Sequence, residues 1–180
     1  MDQSRPTLIE VITKAVATHT TTYFILGLLA STVFDYGGLY ADTSLNLLMR
    51  QTTHPLVMAG PLFQPIRGIL FGIVFFLLRD IVFRKKNGWL VMWIILVLVG
   101  IIGPFGPTPG SIEGMIYTIV PVGIQLTGLP EVLLQSFFLV VLLFYWVNHP
   151  KKAWLSWVMG IAFLLVMLLP ILGLLVGQQG

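Results

Sequence analysis

No charged side chain follows Lys152, and Ala153–Val176 is apolar apart from Ser156. A helix rises ~1.5 Å per residue, so about 20 such residues cross a ~30 Å hydrocarbon core. A segment that long and that free of charge must be solvated by lipid or by protein. Four further stretches approach the same length: Thr20–Ala41, interrupted by Asp35; Pro61–Phe83, which contains Arg67; the short Trp89–Gly103; and Pro130–Val147. Hydrophobic residues make up 57% of the chain and charged residues 9%, against roughly 25% charged in ordinary soluble domains. That balance excludes both a soluble globule and a disordered chain.

The sequence therefore predicts an all-α, polytopic membrane helix bundle with five transmembrane helices, over about 20–41, 61–83, 89–103, 130–147 and 153–176. Residues 112–125 are apolar but short, and follow the run Gly103-Pro104-Phe105-Gly106-Pro107-Thr108-Pro109-Gly110, which cannot continue a helix. They are expected to form a re-entrant or interfacial half-helix, with Ser111 as its N-cap. Residues 1–19 are expected to form a cytoplasmic amphipathic leader on the membrane surface, and 20–180 a single embedded domain. Asp2, Arg5, Glu10 and Lys14 interrupt the leader, unlike the apolar core of a signal peptide.

Basic residues orient the bundle. Placing the Arg84-Lys85-Lys86 and Lys151-Lys152 loops in the cytoplasm leaves only Arg50 and Arg67 of the ten Lys and Arg toward the outside. The positive-inside rule then expects the N-terminus in, the C-terminus out and a multi-pass protein of the cell membrane. All five Trp fall near the inner face in this arrangement, as an interfacial belt requires. The net charge of +3 follows from these flanks and does not point to nucleic acid.

Two hairpins also read alike. In each a Pro opens the descending helix (Pro61, Pro130), a Lys pair and Trp-Leu mark the turn, and a closing Pro lies 18 residues after the second Lys (104 − 86 and 170 − 152). Such a pair would be a parallel repeat. Charge and aromatic-belt rules alone also make unrelated hairpins resemble one another.

Depth arithmetic gives a candidate site. With Thr22 at the inner edge of the first span, Asp35 stands 13 residues higher, ~20 Å up. Arg67 stands 14 residues above Ile81, ~21 Å up, with Gln64 one turn above it. Glu131 and Gln135 reach a similar level on the fourth span, and Glu113 approaches it from the half-helix. An ion in hydrocarbon costs roughly 2.5–3.5 kcal/mol on insertion scales, so these groups should face one another or water. The expected substrate-binding set is thus Arg67, Asp35, Gln64, Glu113, Glu131 and Gln135, with Asp35–Arg67 the first choice of ion pair. Tyr36, Tyr40 and Tyr117 could line the same region, or serve only as interfacial anchors.

No nucleophile elbow, phosphate loop, zincin or dinucleotide motif occurs, and zero Cys removes thiolate chemistry. The three His are far apart in sequence, and His54 reads as a loop residue. No metal or cofactor is expected. Three functions fit the pattern. The first is binding or transport of an anionic small molecule or lipid through Arg67. The second is an accessory or assembly subunit meeting a homo-oligomeric or other membrane partner, and the third an intramembrane enzyme acting on a lipid-linked substrate.

Overall fold

A computed structural model of the protein describes residues 5–41 and 45–177. The described residues are 76% helix and include no strands. Helices α4 (Gly60–Leu77), α9 (Leu129–Asn148, preceded by the short α8, Val122–Thr127) and α10 (Ala153–Gly177) supply three segments long and apolar enough to cross a membrane. The chain is a membrane-embedded helical protein by that measure.

The longest helix, α1, runs unbroken from Leu8 to Val33. Thr7 caps it by accepting the Glu10 N–H at 3.3 Å, and Glu10 favours the positive end of the helix dipole. This corrects two expectations. Residues 8–19 do not form a separate surface helix but are the first half of α1, and their face is buried: Val11, Lys14, Ala15 and Thr18 recur at helical spacing. The helix also ends before residue 41. Phe34 N–H closes the last turn on Ala30, Asp35 takes a left-handed φ of 45°, and Tyr36–Ala41 forms a separate short helix, α2. The same run of apolar residues thus contains a break that hydropathy does not register.

Helices α1 and α4 lie antiparallel along most of their length. A Cβ on Gly68 would stand 2.6 Å from Val16 Cα, and one on Gly72 2.7 Å from Ile12 Cα. The two backbones therefore touch, as in small-xxx-small packing. Below that seam Val11, Ala15, Phe75, Val82, Met92, Val140, Leu143 and Val147 form the core. Lys14 fastens α1 to α9: its Nζ pairs with Glu10 at 2.6 Å and donates to the Trp146 carbonyl at 3.2 Å.

The expected second span, 61–83, is divided at Leu78 into α4 and α5 (Arg79–Val82). The third is α6 (Gly88–Ile95) continued by a π-helical segment, Leu96–Ile102. The expected half-helix 112–125 is two short helices, α7 (Ile112–Tyr117) and α8, separated by extended residues around Pro121. Pro121 has no N–H to give a helix and biases Val120 away from helical geometry. Ser111 does cap α7, accepting the Gly114 N–H at 2.9 Å. The remaining short helix, α3 (Pro55–Met58), is capped by His54. Helix α6 packs on α9, α1 packs against α4 and α9, and α10 packs mainly on α1 and more lightly on α4.

Candidate functional site

The polar run Thr18-His19-Thr20-Thr21-Thr22 lies in the middle of α1 and is buried throughout. Thr18 and Thr22 resolve their hydroxyls locally, donating to the carbonyls of Lys14 at 2.7 Å and Thr18 at 2.9 Å. Such back-bonding lets a helix carry threonine where no water reaches. His19 turns to α4 instead. Its Nε2 lies 3.1 Å from Gln64 Oε1, while Gln64 Nε2 donates to the Gly60 carbonyl at 3.2 Å. With the amide oriented by Gly60, Nε2 is the donor nitrogen. Nδ1 is then left buried without a partner, as are the hydroxyls of Thr20 and Thr21. The imidazole edge rests on Phe71, centroids 4.9 Å apart.

His19 and Phe71 form one side of a cavity of about 620 Å³. Arg67, one turn beyond Gln64 on α4, lines it with its guanidinium 5.8 Å from the Phe71 ring centroid. Tyr23 continues the α1 wall, and Glu131, Gln135, Ser136 and Leu139 form the α9 wall. The π-helical segment contributes Leu96, Gly100 and Ile101. Trp93 holds that helix to α9, donating from Nε1 to Ser136 Oγ at 3.1 Å.

Three segments close the remaining end: α2, the Pro/Gly-rich turn, and the loop that brings Leu45 and Met49 to the cavity. Tyr36 and Tyr40 of α2 stack with centroids 5.3 Å apart, and Tyr36 donates its hydroxyl to Glu131 Oε2. The Pro/Gly-rich turn places Thr108 and Pro109 against the cavity. Gln125 pins this turn: its Nε2 donates to the Val120 carbonyl at 2.7 Å, and its Oε1 accepts from Gly110 N–H at 3.4 Å. Gly110 has φ +85°, and a side chain there would also press on Leu129.

Of the residues expected at the site, Arg67, Glu131 and Gln135 line the cavity, together with Tyr36 and Tyr40. Gln64 lies behind the wall and acts through His19. Asp35 and Glu113 do not line it. Asp35 is exposed and accepts the Gly38 N–H at 3.3 Å, a local cap. Glu113 sits in the first turn of α7, and Tyr117 is exposed.

The expected Asp35–Arg67 ion pair is not formed, and the reason is the depth reference. Gly68 abuts Val16 and Gln64 meets His19, so Arg67 is level with residues near 17 of α1. Asp35 is at least 16 residues farther along (35 − 19), ~24 Å by helical rise. Among the described residues the ion pairs are Lys14–Glu10 and Arg84–Asp80, and Arg67 belongs to neither. No group of three metal-ligating side chains occurs among the described residues. His54 is occupied as the cap of α3, its Nδ1 accepting the Leu56 N–H at 3.2 Å.

Sequence reasoning missed His19, Tyr23, Gln125 and Ser136. The signal for the first two was present: a polar run within a helix, with His19 and Tyr23 four residues apart on one face. Gln125 carried no such signal, because its role depends on a turn folding back over 15 residues. No family model, no curated protein and no solved structure matches this chain.

Proposed function

We propose that the protein binds, and in the membrane carries or presents, a small molecule or lipid bearing an anionic group. The observation that carries this reading is Arg67: a guanidinium lining a cavity between helices, paired with no carboxylate among the described residues. A charge at membrane depth needs a counter-charge or water, and a charge-assisted contact to carboxylate or phosphate meets that need. His19 and Gln135 add polar contacts on the same walls. In this reading α1, α4, α6 with its π-helical continuation, α9 and α10 make five passages. The N-terminus and the Lys85-Lys86 and Lys151-Lys152 turns face the cytoplasm, and Arg67 stands near the middle of the bundle's depth.

Ligand-dependent thermal stabilisation in detergent tests the binding reading. A ligand at one hundred times its dissociation constant adds about 2.7 kcal/mol to folding. A panel of carboxylates, phosphates and anionic lipids should contain members that raise the melting temperature of the wild type and not of Arg67→Gln. A panel that never shifts it, with a membrane partner co-purifying and lost in Arg67→Gln, would instead establish an accessory subunit. Because the chain has no Cys, single probes report sidedness directly. Asn87→Cys should resist an impermeant thiol reagent in intact cells and Thr108→Cys should react; the reverse pattern inverts the orientation.

A further inference from the structure

Among the described residues, α4 and the π-helical segment both face the cavity without packing closely on one another. Helix α4 is packed along α1, and the π-helical segment along α6 and α9, but no comparable packing joins α4 to the π-helical segment. Both nevertheless line the same cavity, α4 through Arg67 and Phe71 and the π-helical segment through Leu96, Gly100 and Ile101. Arg67 and Gly100 both line the cavity and are both exposed. A Cβ built on Gly100 meets nothing within 4 Å. The neighbouring outward residues are apolar: Ile66, Leu70, Leu98 and Val99 are all more than half exposed. Such a surface belongs against hydrocarbon. A mouth between α4 and the π-helical segment would open sideways into the bilayer, with a cation at its edge.

Resting on the binding reading above, we infer that the occupant is an anionic lipid that enters laterally through this mouth. Its phosphate or carboxylate head sits against Arg67, and its hydrocarbon chain leaves past Phe71 and Gly100 into the membrane. The arrangement supplies each part of an amphiphile with what it needs. The guanidinium replaces the water and counter-ion that the head loses on leaving the interface. The aromatic and aliphatic walls receive the first methylenes, and the open side spares the rest of the chain any desolvation. A water-soluble anion would use Arg67 equally well but would gain nothing from a mouth that faces lipid. A π-helical segment at this edge fits a functional position, since such bulges interrupt regular packing where a site needs room.

Purified protein in detergent, titrated with dioleoyl phosphatidic acid and read by native mass spectrometry and melting temperature, tests the inference. One lipid should bind the wild type and raise its melting temperature. Arg67→Gln should weaken binding about tenfold or more, the loss of one charge-assisted contact, and Arg67→Lys should bind within a few-fold of wild type. Gly100→Trp, filling the mouth without disturbing packed neighbours, should weaken binding similarly. Gly160→Trp, also placed in open space but on α10, should bind as the wild type does. If Arg67→Gln does not fold, Arg67→Lys and Gly100→Trp still decide the matter. Equal binding of dioleoyl phosphatidylcholine would overturn head-group recognition by Arg67. Stabilisation by glycerol 3-phosphate equal to that by phosphatidic acid, with Gly100→Trp silent, would overturn lateral lipid entry while leaving an anion-binding cavity. Absence of binding by every anion would overturn both readings.

Discussion

Two sets of glycines stand near the cavity, one on α4 and one on the π-helical segment, and they behave in opposite ways. Toward α1, Gly68 and Gly72 remove side chains so that backbone can meet backbone. Toward the π-helical segment, Gly100 removes a side chain and nothing takes its place. The first use of glycine builds the bundle, and the second leaves open space beside the helix. The difference teaches that a small residue in a membrane helix is a statement about distance only after its neighbour is known. Without that neighbour, contact and vacancy look the same.

The largest test of this contrast is bulk at each side. Gly72→Leu forces a side chain into Ile12 backbone and Gly68→Leu into Val16, with no flexible tip to yield. Each should cost at least the usual overpacking penalty of about 1–3 kcal/mol, and the double variant should fail to survive size-exclusion chromatography after mild heating. Gly100→Leu should run as the wild type in the same assay. Comparable losses at Gly68 and Gly100 would mean that the mouth is packed in the membrane.

A smaller effect is expected behind the closed side. Gln64→Leu keeps the approximate volume of the side chain but deprives His19 Nε2 of its acceptor, leaving both ring nitrogens unpartnered in the bundle. A stranded buried polar group costs about 1–3 kcal/mol, and the melting temperature should fall accordingly. Gln64→Glu retains an acceptor and should fall less. An unchanged melting temperature in Gln64→Leu would show that water already serves His19.

The same contrast explains how much could be read from residues alone. Apolar length gives a helical membrane bundle, because the cost of exposing it to water or of leaving backbone unbonded in lipid admits little else. Arg67, Glu131 and Gln135 were legible because a polar group inside an apolar run must be satisfied, and the cavity is where these three are brought. Their vertical register was not legible. Hydropathy placed the first span at 20–41, yet α1 begins at Leu8, since the partner that buries its polar first half is the glycine face of α4. One shifted reference moved Asp35 to the cavity on paper and hid His19. The break at Asp35 depends on a single left-handed residue, which no hydrophobic pattern encodes. Gln125 and the turn it pins depend on tertiary closure, beyond the reach of periodicity.

The finest test concerns which polar groups act together. Two pairs can be compared by double-mutant cycles, each read as detergent-melting free energies. Tyr36 and Glu131 share a hydrogen bond that ties α2 to α9 over the cavity. Tyr36→Phe alone should cost about 1 kcal/mol, and with Glu131→Leu the two effects should not sum, because either change already removes the contact. Asp35 and Arg67, by contrast, are separated by most of the length of α1. Asp35 caps its own turn through Gly38, and Arg67 lines the cavity. Asp35→Asn and Arg67→Gln should therefore add within about 0.5 kcal/mol, the ordinary limit for distant, independent sites. A coupling well above that limit would mean that α2 folds inward far enough to bring the carboxylate to the guanidinium. Arg67 would then have a partner from within the chain, and its claim on an anionic lipid would weaken in proportion.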